Sequence, residues 1–120
     1  MFSLFIHFDW LELVTQTKRF HVLVGLMLSS QTKDPVTAQG IANLKKTFDG
    51  LTVDAICRVT NMERINACIN KVGFHNRKTQ YLFKTANILK KEYDGDIPDT
   101  VKGLCALPGV GPKMVKLDCN

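Results

Sequence analysis

The chain has 120 residues, of which 45 % are apolar, 22 % charged and 8 % aromatic; that is room for one ordinary domain, and it argues against a two-domain enzyme, a disordered tail or a membrane span. Sixteen Lys and Arg against eleven Asp and Glu leave a formal charge of +5, which favours an anionic partner, nucleic acid first. The excess is uneven: residues 1–70 hold seven basic and six acidic side chains and residues 71–120 hold nine and five, so +4 of the +5 falls in the second part.

Met1 to Val14 is apolar but interrupted by His7, Asp9 and Glu12. It has neither the basic start and small-residue cleavage site of a secretory signal nor the length to cross a bilayer. From Arg19 the pattern is helical, and Phe20, Val22, Leu23, Val24, Leu26, Met27 and Leu28 are too continuous for a surface helix, so this segment belongs in the core. It stops at Ser29-Ser30-Gln31-Thr32. Asp34 before Pro35 reads as the start of the next helix, with the carboxylate as cap, running to about Phe48. Thr52 caps a short helix through Val59. Asn61 caps another that reaches Lys71 and buries Ile65, Cys68 and Ile69, and Gly73 closes its turn.

Asn76 begins the longest amphipathic stretch. Tyr81, Leu82, Thr85, Ile88, Leu89 and Tyr93 line one face, Lys78, Lys84, Lys90 and Lys91 point elsewhere, and Gly95 stops it. Asp99 or Thr100 starts a short helix holding Val101, Leu104 and Leu107. Pro108-Gly109-Val110-Gly111-Pro112 forces a compact turn, from which Pro112 opens a last helix toward Asn120. No alternating run suggests a strand, so the class is all-α. The four cysteines, Cys57, Cys68, Cys105 and Cys119, stand far apart without a CxxC pair. They point to reduced thiols and not to a zinc site or a disulfide scaffold.

The turn near residue 110 is the most informative segment. Gly109 and Gly111 open backbone angles closed to other residues and allow another backbone to come near, while Val110 plugs back into the core. Amides of such a turn, followed by a helix N-terminus, suit a phosphate oxygen. A plain helix-helix turn punctuated by Gly and Pro accounts for the same spacing.

Three stretches taken together carry a family resemblance. Leu107-Pro108-Gly109-Val110-Gly111-Pro112-Lys113-Met114 resembles the helix-hairpin-helix of the endonuclease III family of DNA glycosylases, in its eukaryotic branch. Leu26-Met27-Leu28-Ser29-Ser30-Gln31-Thr32-Lys33-Asp34 and Val72-Gly73-Phe74-His75-Asn76-Arg77-Lys78 resemble two further motifs of that family, in the same order. The resemblance covers about Lys18 to Met114. It implies a partial six-helix barrel of the helix-hairpin-helix glycosylase type over residues 18–120, with the hairpin at about 100–119, after a divergent segment of residues 1–17.

The resemblance also implies roles. Lys113 is the nucleophile that attacks C1′ of the deoxyribose, expels the damaged base, forms a Schiff base and allows β-elimination; an amine at a helix N-terminus with partial burial has the lowered pKa this requires. Gln31, otherwise a loop or cap residue, fills the gap left by an extruded nucleotide. Phe74, otherwise a core or staple residue, is an apolar wedge in the stack. His75 and Asn76 lie beside the phosphodiester or cap a helix, and Gly109, Val110 and Gly111 form the phosphate cradle.

Some family features are not found in these 120 residues. An aspartate in a Val-Asp-Thr-His type motif, expected downstream of the hairpin, is missing, and Asp118, about 140° around the helix from Lys113, does not replace it. The cysteines that hold the family's [4Fe-4S] cluster are also missing, so no metal or cofactor is expected in this chain. Val115 replaces a small alanine. The chain therefore reads as a truncated or alternatively spliced member, or a fragment.

The leading expectation is a base-excision glycosylase with apurinic/apyrimidinic lyase activity on oxidised pyrimidines. A DNA-binding module without chemistry is the alternative, and a small helical interaction domain the third. The expected partner is double-stranded DNA with damaged bases or abasic sites. No membrane is expected; the chain is expected to be a monomer in the nucleus, with the mitochondrion as the other compartment.

Overall fold

Thr15 opens the first helix by accepting a hydrogen bond from the Lys18 amide at its side-chain oxygen, 3.2 Å away. The computed structural model describes residues 15–110. Among these residues there are helices and no strand: α1 (Gln16–Ser29), α2 (Asp34–Thr47), α3 (Val53–Cys57), α4 (Glu63–Cys68), α5 (His75–Glu92) and α6 (Val101–Cys105). The last helix expected from Pro112 lies outside them.

α1 is the central element. Phe20, Leu23, Val24, Leu26, Met27 and Leu28 are all buried, as an apolar run with a single polar side chain, His21, requires. It packs on α2 and α5; α3 and α4 pack on α5, and α4 on α2. Leu44, Leu51, Ile56, Ile65, Ile69, Leu82, Leu89 and Leu104 complete an interior closed to solvent. α5 is the spine. Leu82, Thr85, Ala86 and Leu89 face inward along it, and Gly95, in the left-handed region at φ +81°, ends it by donating to the Leu89 carbonyl at 2.8 Å.

Three expected caps are present: Thr52 accepts from the Ala55 amide at 3.1 Å, Asn61 from the Glu63 amide at 3.0 Å and Thr100 from the Gly103 amide at 3.0 Å. Asp34 is not a cap. The Lys33 carbonyl already accepts from Val36 and Thr37, so α2 starts one residue early, with Asp34 and Pro35 in its first turn. There a carboxylate complements the positive helix end and proline forfeits no bond. α3 stops at Cys57, short of Val59. α4 stops at Cys68, short of Lys71, because Ile69 leaves helical angles at φ −119°. α5 starts at His75, one residue before Asn76.

Further departures concern side chains. Cys68 is half-buried at the edge of the core, not fully buried, and its thiol donates toward the carbonyls of Asn43 and Arg64 and the Thr47 hydroxyl. Cys57 and Cys68 are free thiols, but Cys105 is disulfide-bonded, correcting the expectation of reduced thiols; distance along the chain does not decide which sulfurs meet in the fold. Lys78 is buried, where the sequence expectation had it pointing away from the core.

Arg19 of α1 holds the segment after α5 through a two-pronged ion pair with Asp96, with nitrogen-oxygen distances of 2.9 and 2.6 Å. Burial pushes the Asp96 carboxyl up, but hydrogen bonds from Arg19 and the Ile97 amide outweigh it and hold the pKa below the usual carboxylate value. A depressed folded pKa contributes stability that is present above the unfolded value and lost as pH falls through the folded one. Asp96→Asn is therefore expected to cost about 1–2 kcal/mol at pH 7, between exposed and buried ion pairs because solvent screens part of it. It is also expected to flatten the acid limb of the melting-temperature profile below about pH 4. An unchanged acid limb would show that Asp96 is not its source.

Candidate nucleic-acid interface

α1 ends at Ser29, and Gln31 then takes left-handed angles, φ +53°. Forty-three residues on, Phe74 does the same at φ +57°, immediately before α5. Left-handed backbone is uncommon for side chains such as these and costs about 1 kcal/mol or more each. Phe74 is 57 % exposed, the one large hydrophobic residue on the surface among the described residues. That excludes a core or staple role for it.

Gly73 lets the two corners meet. A methyl group there would lie 2.8 Å from the Gln31 carbonyl oxygen and 3.1 Å from the Thr32 hydroxyl. Its amide donates to that hydroxyl at 2.9 Å. Beside this contact is a cleft of about 200 Å³ lined by Met27, Ser30, Gln31, Phe74, Arg77, Lys78, Tyr81 and Gly109. The fold thus brings together three of the residues singled out from sequence, Gln31, Phe74 and Gly109.

The turn that supplies Gly109 rests on α5. Val110 donates to the Leu107 carbonyl at 3.2 Å, with proline second and a left-handed glycine third, the pattern of a type II turn. The Thr85 hydroxyl donates to the Pro108 carbonyl at 3.0 Å. Val110 is buried, as expected of a plug. Gly111 and Lys113 lie outside the described residues. His75 and Asn76 do not line the cleft: both meet the Asn66 side chain of α4, whose Oδ1 accepts from His75 Nδ1 at 2.6 Å and whose Nδ2 donates to Asn76 Oδ1 at 2.9 Å.

Lys78 was missed as a site residue. Its ammonium donates to the Leu28 carbonyl at 2.9 Å, to the Ser30 carbonyl and to the Thr32 hydroxyl at 3.4 Å. Burial pushes its pKa below the usual lysine value, against the pull of these acceptors toward the charged form. The signal was in the spacing: Lys78 precedes Tyr81, Leu82 and Thr85 by three, four and seven residues, on the same helical face. Arg77, exposed at the mouth of the cleft, was also passed over.

Larger hollows lie elsewhere. One of about 440 Å³ is bordered by Asp54 and Lys90, and one of about 530 Å³ runs along Val36, Gly40 and Ile69. Asp54 and Lys90 neutralise each other in an ion pair, and Phe74 lines neither hollow. Among the described residues no three His, Cys, Asp or Glu side chains gather to hold a metal ion. No helix among them is long and apolar enough to cross a membrane.

Residues 24–117 match the family model described as HhH-GPD superfamily base excision DNA repair protein. The chain is 55 % identical over 97 residues to the endonuclease III homolog of Schizosaccharomyces pombe, covering 80 % of this chain and 27 % of the relative. It is 50 % identical over 102 residues to endonuclease III-like protein 1 of Bos taurus, covering 85 % and 32 %. Among solved structures, a trapped endonuclease III-DNA covalent intermediate superposes with a TM-score of 0.72 at 24 % identity, over 85 % of this chain and 46 % of the other. A thermostable thymine-DNA glycosylase gives 0.67 at 20 %, over 90 % and 47 %. The chain spans less than half the length of each of these proteins.

An all-helical domain with a glycine turn docked on its longest helix has the helical fold of these DNA glycosylases. The chain belongs to the HhH-GPD superfamily of base excision DNA repair proteins.

Proposed function

We propose that this chain carries the DNA-opening surface and the nucleophile of a base-excision glycosylase with abasic-site lyase activity toward oxidised pyrimidines. The observation that carries this reading is the pairing of Gln31 and Phe74, two left-handed corners beside one cleft, with the glycine turn at its far wall. Phe74 would enter the base stack, Gln31 would occupy the gap, and Arg77 and the turn amides would meet phosphates. The relatives' names support the reaction class.

In the chemical step the unprotonated Lys113 amine attacks C1′ and the glycosidic bond breaks, its electron pair leaving with the base, which takes up a proton. An amine proton passes to O4′ as the C1′–O4′ bond breaks, which opens the ring and gives a Schiff base. Removal of a proton from C2′ then expels the 3′ phosphate and nicks the strand. The partner is duplex DNA holding a damaged base or an abasic site, met by a monomer, in the nucleus or the mitochondrion.

Binding to a duplex with an abasic analogue, compared with the same single strand, tests the reading. Affinity is expected to fall steeply with salt, as phosphate contacts require. Phe74→Ala is expected to weaken the duplex about tenfold more than the single strand, because only the duplex has a stack to open. Since Phe74 is exposed, its melting temperature should hardly move. A lower melting temperature with an unchanged duplex preference would overturn the wedge role.

A further inference from the structure

We propose that Lys78 is a positioning residue for DNA opening: its buried ammonium binds the end of α1 to the start of α5, and so fixes Gln31 and Phe74 against each other before DNA arrives. The inference rests on the functional reading above for its consequence, though not for its geometry.

The last carbonyls of a helix have no partners within it. In α1 the Leu26 carbonyl takes the Ser29 hydroxyl and the Ser29 carbonyl takes the Thr32 amide. The carbonyls of Leu28 and Ser30 take Lys78. α1 has no basic residue in its own last turn, so the cation that complements its negative end comes from another helix. Lys78 is 5 % exposed, and its three donors are matched by three protein acceptors. It is thereby committed to the protein and does not serve as a phosphate contact.

Thr32 extends the clamp. Its hydroxyl oxygen receives both Lys78 and the Gly73 amide, so one cation and one hydroxyl span the residues flanking both corners, Ser30 to Thr32 on one side and Gly73 on the other. Two backbones held in unfavourable angles stay there only when their surroundings over-determine them. Lys78 and Thr32 supply that constraint, and a site held in advance loses less ordering entropy on binding.

The test compares Lys78→Met, which keeps the stem and removes the donors, with Thr32→Val, which cuts the hydroxyl junction and leaves the core intact should Lys78→Met fail to fold. Amide hydrogen exchange reads the clamp without DNA. Exchange at Thr32 and Gly73 is expected to speed up about tenfold or more in either variant, while Leu82 and Leu89 keep their protection. Unchanged exchange at Thr32 and Gly73 in a folded variant would overturn the clamp.

The preference for abasic duplex over single strand reads the consequence, and it should fall about tenfold while single-strand affinity holds. If Phe74→Ala loses that preference and both clamp variants keep it, the positioning role is wrong although the wedge stands. If Phe74→Ala keeps it, the functional reading fails, and the exchange data alone decide whether Lys78 clamps the two corners.

Discussion

Lys113→Gln is expected to abolish borohydride trapping of the chain on a duplex with a pre-formed abasic site, a loss of about a hundredfold or more, since an amide nitrogen has no lone pair free to form an imine. The abasic site isolates this step, because its aldehyde needs only an amine and no base has to be expelled. Lys102→Gln, an exposed lysine of α6, is expected to trap like the unaltered chain.

A second amine of low basicity lies in the described part of the protein. Lys78 borders the cleft, and burial pushes its pKa down, features associated with nucleophilic lysines. Geometry excludes it from the role. An ammonium whose three hydrogens are donated to Leu28, Ser30 and Thr32 presents no lone pair, and freeing one would orphan buried carbonyls at about 1–3 kcal/mol each. Trapping by Lys113→Gln equal to that of the unaltered chain, with the adduct mapped to Lys78, would reverse this assignment.

Lys78 also shows where the sequence stopped being readable. Its spacing from Tyr81, Leu82 and Thr85 fits the inner face of α5, whereas the sequence reading had it pointing away from the core, as lysines mostly do. What overturns the rule is a set of acceptors at the end of α1, about fifty residues away in sequence, and nothing local to Lys78 announces them. Phe74 is the opposite case. An aromatic residue beside Gly73 reads locally as core, but Phe74 sits at a left-handed corner where Gly73 packs against Gln31, and it is exposed.

Local chemistry was legible at several positions, though not at Asp34. Thr52 and Thr100 each cap an amide three residues on, and Gly95 ends its own helix. The buried α1 was legible because His21 is the one polar side chain between Phe20 and Leu28. The cleft was not, since its walls come from α1, α5 and the turn after α6; only the family motifs had joined Gln31, Phe74 and Gly109.

Gly109→Val is expected to destabilise the protein by about 2–5 kcal/mol, combining left-handed strain of a β-branched residue with overpacking. Gly109 has φ +82°, and a Cβ there would lie 2.9 Å from both Cβ and Cδ2 of Tyr81. Tyr81 Cβ is fixed to α5, so the ring cannot rotate out of that contact. Gly50 provides the comparison, because it has the same φ of +82° with nothing within 4 Å of its added carbon. Gly50→Val carries the backbone strain alone and should cost about 1–2 kcal/mol. The difference between the two melting temperatures then isolates the approach of the turn to α5. That approach is also what sets the turn amides beside Phe74 and Arg77, so Gly109→Val should weaken binding to single strand and duplex alike. Equal losses of stability at Gly109 and Gly50 would show that the turn does not depend on Tyr81, and the cleft would then need another wall.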